Sequence, residues 1–227
     1  MKSSKKFLMT LVLAVCPALP MTTIMAGIDT TSADLPPDGI YVTTADFFAM
    51  YDGPDLNVVL QDVVFKPLVN TVIRTAVGND ELETFDAILK GNSFEDVGSG
   101  PGGPFAFSLA GPVQTLVTNR LLSTTGLFDA EIVSMSLTGN LDLGSVLLRE
   151  SPTLASMGQF DITDLGGGLY HIDSFFDVFT ELSVDGGQTW IAADSSVRIT
   201  LIPEPASVVL VLLGLGTMAS RVRRRIF

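Results

Sequence analysis

The sequence predicts a mainly β protein whose central part is one antiparallel domain of β-sandwich or jelly-roll type. Several windows alternate apolar and polar residues with period two, and Gly, Pro, Asn and Asp punctuate the intervals between them. Between residues 33 and 201 there is no long apolar run and no internal repeat of twenty to fifty residues. The 227 residues are 47% hydrophobic and 17% charged, a balance that excludes a disordered acidic chain and predicts a globular body flanked by targeting segments.

The first element is a leader. Lys2, Lys5 and Lys6 precede an apolar run from Phe7 to Ala18, and Met25-Ala26-Gly27 follows with a small residue for cleavage. That is the layout of a secretory signal peptide over residues 1–26, cut by a signal peptidase between Ala26 and Gly27. The run is shorter than the ~20 residues a permanent span needs. Cleavage would remove Cys16, the only cysteine, so disulfides cannot stabilise the exported chain.

The body, residues 27–200, is where the strands are expected. In Phe105-Ala106-Phe107-Ser108-Leu109, Val133-Ser134-Met135-Ser136-Leu137 and Val197-Arg198-Ile199-Thr200-Leu201 the apolar side chains share one face and the other is wet. Further apolar windows lie at 57–65, 71–77, 145–148 and 174–182. Leu82, Phe85, Ile88 and Leu89 also fit helical spacing, with Asp80 as an N-cap and Gly91 as a stop. Gly78-Asn79-Asp80 reads equally as a hairpin turn, and strand is the expectation for 81–89. Val113, Leu116, Val117 and Leu121 likewise fit one short helix.

Charge narrows the function. Residues 27–220 hold all 25 carboxylates but only six of the thirteen basic side chains, a net charge of −19. Such a surface repels a phosphate backbone, so nucleic acid is excluded as a partner. With one cysteine and one histidine, His171, a Cys/His zinc site and a Cys-His catalytic pair are excluded too.

Ser183-Val184-Asp185-Gly186-Gly187-Gln188-Thr189-Trp190 is the most specific motif inside the body. Asp185 suits the role of acceptor for turn amides, Gly187 a positive φ, and Trp190 packing beneath a hairpin. It resembles the Asp-box of sialidase propeller blades, but a single copy supports a structural hairpin rather than a propeller. Asp177 and Glu181 on one strand face stand roughly 13 Å apart at ~3.3 Å per residue. That exceeds the ~5–9.5 Å separating glycosidase carboxylates, so the pair alone is no active site. His171 reads as a structural histidine. Loops at Asp52-Gly53-Pro54-Asp55-Leu56-Asn57, Asn140-Leu141-Asp142 and Asp161-Ile162-Thr163-Asp164 offer hard oxygen ligands, which makes calcium the one metal to consider, without an EF-hand pattern. Gly98 to Pro104 lacks the Lys-Ser/Thr of a phosphate cradle and reads as a loop.

The last element, residues 201–227, is tripartite: Pro203-Glu204-Pro205-Ala206-Ser207, the apolar stretch Val208 to Met218, then Arg221, Arg223, Arg224 and Arg225. A short hydrophobic helix from Ala206 to Ser220 would measure ~22 Å, less than a ~30 Å hydrocarbon core, with arginines held on the cytoplasmic side. The prolines keep the Pro-Glu-Pro stretch extended, as a protease groove requires. This tail resembles the PEP-CTERM sorting signal of exported bacterial proteins. The resemblance implies an exosortase as processing enzyme, transient anchoring in the inner membrane of a Gram-negative cell, and delivery to the outer surface or extracellular matrix. The window His171 to Glu181 is similar to segments of uncharacterised exported proteins with this tail. The expected role is a non-catalytic component associated with exopolysaccharide. The alternatives are a secreted carbohydrate-active hydrolase, or a carbohydrate-binding module presenting Trp190, Tyr41, Tyr51 and Tyr170.

Overall fold

A computed structural model describes residues 27–43, 45, 48–53, 56–96 and 101–204. The leader 1–26 and the tail from Pro205 onward, including the expected hydrophobic helix and Arg221, Arg223, Arg224 and Arg225, lie outside the described residues. Among those described, fourteen strands follow in order: β1 (Ile28–Thr30), β2 (Ile40–Thr43), β3 (Ala49–Asp52), β4 (Asn57–Pro67), β5 (Ile73–Val77), β6 (Asp80–Asp96) and β7 (Pro101–Val117) form the first half. The second half is β8 (Gly126–Leu141), β9 (Gly144–Glu150), β10 (Ser156–Gly166), β11 (Leu169–Val178), β12 (Thr180–Ser183), β13 (Ile191–Ala192) and β14 (Val197–Ile202).

The sheet is antiparallel, as expected, but it is not a sandwich. β8, β10, β11, β14, β2, β4, β6 and β7 pair in that order and β7 returns to β8, closing an eight-stranded barrel. Closure depends on β10, which pairs β11 on one side and β8 on the other. Alternation of inner and outer residues is the same in a sandwich and a barrel, so the pattern alone does not distinguish them. The long strands β4, β6, β7 and β8 run on beyond the barrel into a second lobe. There β3 pairs β4, β9 pairs β8, β12 pairs β9 and β13 pairs β12, with a Tyr51–Ala193 bridge completing the circuit.

One apolar cluster fills both parts. Tyr41 packs edge-on against Phe65 and Phe176, and Phe176 against Phe160. Gly158 sits opposite Phe176 in the β10–β11 register, and a Cβ there would lie 2.2 Å from the ring, so the absence of a side chain makes room for it. Most outward positions of β8 and β10 are polar, among them Asp129, Ser134, Ser136, Thr138, Asp161 and Thr163, with Leu127 and Met157 as exposed apolar exceptions.

The 81–89 segment is strand, with Glu83, Phe85, Ala87 and Leu89 all inward on β6. Residues 113–117 are strand in β7, and the helical turn is limited to a 3₁₀ turn at Arg120–Leu122. Val133 departs from its window. The register slips so that Gln114 opposes Ser134 while Thr115 opposes Ile132, and the bulged Val133 is left 38% exposed. Residues 174–182 divide at Phe179 into β11 and β12. Asp161 to Asp164 is no loop, since it lies within β10, and Pro101 to Pro104 already belongs to β7.

Candidate functional site

β14 is the last strand and closes the barrel wall between β11 and β2, burying Val197, Ile199 and Leu201. It ends at Ile202 because Pro203 has no N–H to continue a ladder. Glu204 then folds back onto the barrel, its Oε1 2.6 Å from the Lys66 ammonium on β4. That hydrogen bond raises the pKa of the Lys66 ammonium, outweighing its slight desolvation. Beside the pair is an open groove of about 650 Å³ lined by Asp29, Thr31, Asp38, Lys66, Pro203 and Glu204, among others. The start of the body reaches the same place: the Gly27 amide donates to the Leu201 carbonyl at 3.0 Å. Both junctions with the expected targeting segments therefore lie side by side at one end of the barrel.

Residues 201–225 match the family described as the PEP-CTERM protein-sorting motif. This chain carries a PEP-CTERM tail. The PEP-CTERM motif implies export, processing by an exosortase and sorting to the cell surface. The match covers the tail alone, so the resemblance expected for the His171 to Glu181 window has no support from it. Comparison with curated proteins and with solved structures finds no significant match. Among the described residues no helix is long and apolar enough to cross a membrane, and the stretch expected to form one lies outside them.

Of the PEP-CTERM residues, Pro203 and Glu204 are described, both half-buried at the barrel mouth; Pro205 and the arginines fall outside. Ala26 is likewise outside, whereas Gly27 is buried with φ +87°. Lys66 escaped sequence reasoning. Its only trace is that it is one of six cations in a body of 25 carboxylates, which says that it has an acidic partner and not which one.

The Asp-box-like segment joins β12 to β13. Asp185 accepts from the Gln188 and Thr189 amides at 2.9 and 3.0 Å, from Thr189 Oγ1 at 2.6 Å and from Ser183 Oγ at 2.8 Å. These donors, led by the Thr189 hydroxyl, hold its carboxyl well below the usual range. Gly187 has φ +91° and donates to Ser183 Oγ, and the Trp190 indole N–H donates to the Gly187 carbonyl. The Arg149 guanidinium lies 3.9 Å from the Trp190 ring centre while its Nη2 holds Glu181 at 2.6 Å. Together these bonds build the turn between β12 and β13.

The other candidate groups are similarly engaged. Asp177 is held by Arg198, which lowers its pKa. Glu181 is likewise engaged, by Arg149, so both carboxylates of the candidate pair are tied to arginines. Tyr41 and Tyr51 are fully buried and bond Ser174 and Thr180, which removes them from any exposed aromatic platform. His171 lies between two carboxylates, Nδ1 2.6 Å from Asp29 and Nε2 3.4 Å from Asp173, and the Asp29 bond raises its pKa. The Asp142 and Leu143 amides in the β8–β9 turn donate to the inward Glu95 carboxylate. Among the described residues no three His, Cys, Asp or Glu side chains converge as a metal site.

One buried carboxyl was not anticipated. Glu83 is fully buried inside the barrel end, and neither of its oxygens has a hydrogen-bond partner. Desolvation, followed by the charge on Glu81, pushes its pKa up to about 8, against weaker opposition from Arg74 and Arg120. Arg120 spends its Nη donors on Ser123 and Ala33, and Arg74 bonds Leu35, so neither guanidinium pairs with Glu83.

Proposed function

We propose that this chain is an exported, non-catalytic surface or matrix protein of a Gram-negative envelope, and that its acidic barrel is the cargo and its tail the address. The observation that carries the reading is the continuity of β14 with Pro203-Glu204 at an open groove, where a processing enzyme can reach the extended segment without unfolding the barrel. A signal peptidase removes residues 1–26, the short apolar stretch then holds the chain in the inner membrane, and an exosortase releases or transfers the body. The excess of carboxylates suits association with exopolysaccharide bridged by divalent cations such as calcium, because direct contact with an acidic polymer is repulsive. Ion-paired Asp177 and Glu181 and the buried tyrosines favour this reading over a hydrolase or a carbohydrate-binding module.

The test is to replace Arg221, Arg223, Arg224 and Arg225 by Ala in the native host, then follow the protein by fractionation and intact mass. The wild-type surface form is expected to lack residues 221–227, and the variant to be mislocalised. A surface form that retains those residues, or an unchanged destination for the variant, overturns the proposal.

A further inference from the structure

We propose that removal of the leader between Ala26 and Gly27 generates a cation for which the barrel already holds the partner: the new α-ammonium of Gly27 ion-pairs with the buried Oδ1 of Asp173. This rests on the leader-cleavage reading above.

The register places the two residues together. β1 pairs β11 through Ile28 and Ile172, so the next position outward sets Gly27 against Asp173. The carboxylate reaches in over the glycine: a Cβ on Gly27 would stand 2.3 Å from Asp173 Oδ1 and 2.7 Å from the Ile172 carbonyl oxygen. With φ +87° besides, only glycine fits. Asp173 Oδ1 is itself buried and lacks a hydrogen-bond partner, whereas Oδ2 faces His171 Nε2 at 3.4 Å. A buried carboxylate oxygen without a donor is costly, and in the uncleaved chain the single Gly27 N–H is already committed to Leu201.

Hydrolysis changes the donor count. Water adds across the Ala26–Gly27 amide, its hydroxyl going to the Ala26 carbonyl carbon and a proton to the Gly27 nitrogen. At neutral pH the Ala26 acid loses its proton and the Gly27 amine takes one up. The nitrogen then carries three hydrogens, one for Leu201 and others for Asp173. The surroundings favour that cation: Asp161 opposes Asp173 across β10 and Asp29 lies next but one along β1, with His171 in contact with Asp29 and Asp173 and Lys66 lining the same groove as Asp29 but paired with Glu204. The pair would fasten β1 beside Leu201, at the root of the sorting motif. Trimming the leader thereby firms the strand junction from which the tail is presented.

The experiment compares Asp173→Asn with wild type in two full-length backgrounds, one leader-cleaved and one with cleavage blocked by Ala26→Leu. N-terminal sequencing establishes the start, and thermal unfolding and the α-amine pKa are the readouts. Asp173→Asn is expected to lower Tm in the cleaved chain and to leave it unchanged or raise it in the uncleaved one. In the cleaved wild type the α-amine pKa should lie above the ordinary ~7.7–8.0 and return to that range with Asn. A cleaved chain that begins at Gly27 but shows equal Tm shifts in both backgrounds and an ordinary α-amine overturns the ion pair alone. A different N-terminal residue overturns the cleavage reading and the pair together.

Discussion

The Gly27 amide and the Leu201 carbonyl are hydrogen-bonded at 3.0 Å, so the first residue of the body and the last inward-facing residue of β14 are neighbours. Some 174 positions apart in sequence, they meet because β1 and β14 occupy successive stretches of one side of β11. The two expected cutting regions thus lie together at one end of the barrel.

Ending the chain after Glu204 should leave the barrel folded, whereas ending it before Val197 should unfold it. Val197, Ile199 and Leu201 are all buried, and each contributes about 1.5–3 kcal/mol on burial. Their loss is comparable with the roughly 5–15 kcal/mol that stabilises an ordinary domain. Circular dichroism melts of the two truncations check this, and a shared melting temperature would contradict it.

Lys66→Ala should hardly change stability, because a half-exposed ion pair contributes only about 0.2–1 kcal/mol. It should nevertheless speed tail processing, by up to about fivefold, since Glu204 no longer has to leave Lys66 before the motif is engaged. Pulse-chase measurement of the processed fraction reads this directly. Slower processing would mean that Lys66 helps to display the motif.

Glu83 should make the protein less stable as pH rises. In the folded state it keeps its proton up to about pH 8, while in the unfolded chain it ionises near 4.5, so stability is full below 4.5 and falls through the interval up to about 8. Glu83→Gln should flatten this slope and be the more stable form at pH 9. Glu150, raised to about 7 by burial and Glu131, leaves a smaller slope in both proteins. Urea titrations at pH 5, 7 and 9 distinguish the outcomes.

Asp185 works in the opposite sense. Its folded pKa is depressed, so its contribution is present above 3.8, the unfolded value, and is lost as pH falls through the folded one. Trp190 is the only tryptophan and sits in this hairpin, so its fluorescence reports the turn. Wild type should keep its native emission at pH 4, and Asp185→Ala should show the shifted emission already at neutral pH.

Strand positions were legible where alternation is written locally: the 105–109 window of β7, β14 and most of β8 follow it, whereas the 113–117 end of β7, with Leu116 beside Val117, also fits helical spacing. Val133 broke the pattern because a bulge is a property of two paired strands, and one strand's residues do not record its partner's count. Sandwich and barrel likewise share one alternation, and only the dual pairing of β10 decides between them.

The sequence by itself determined that the chain is mainly β, strongly acidic in its body and equipped with a sorting tail, since hydrophobic period, charge and the Pro-Glu-Pro element are read along the chain. Only the tertiary structure decided that Lys66 holds Glu204, that Glu83 is buried unpaired and that Asp173 lies over Gly27. These are contacts between distant strands. They depend on how the sheet curls shut, and closure is set by pairing and register over the whole chain rather than by any one segment.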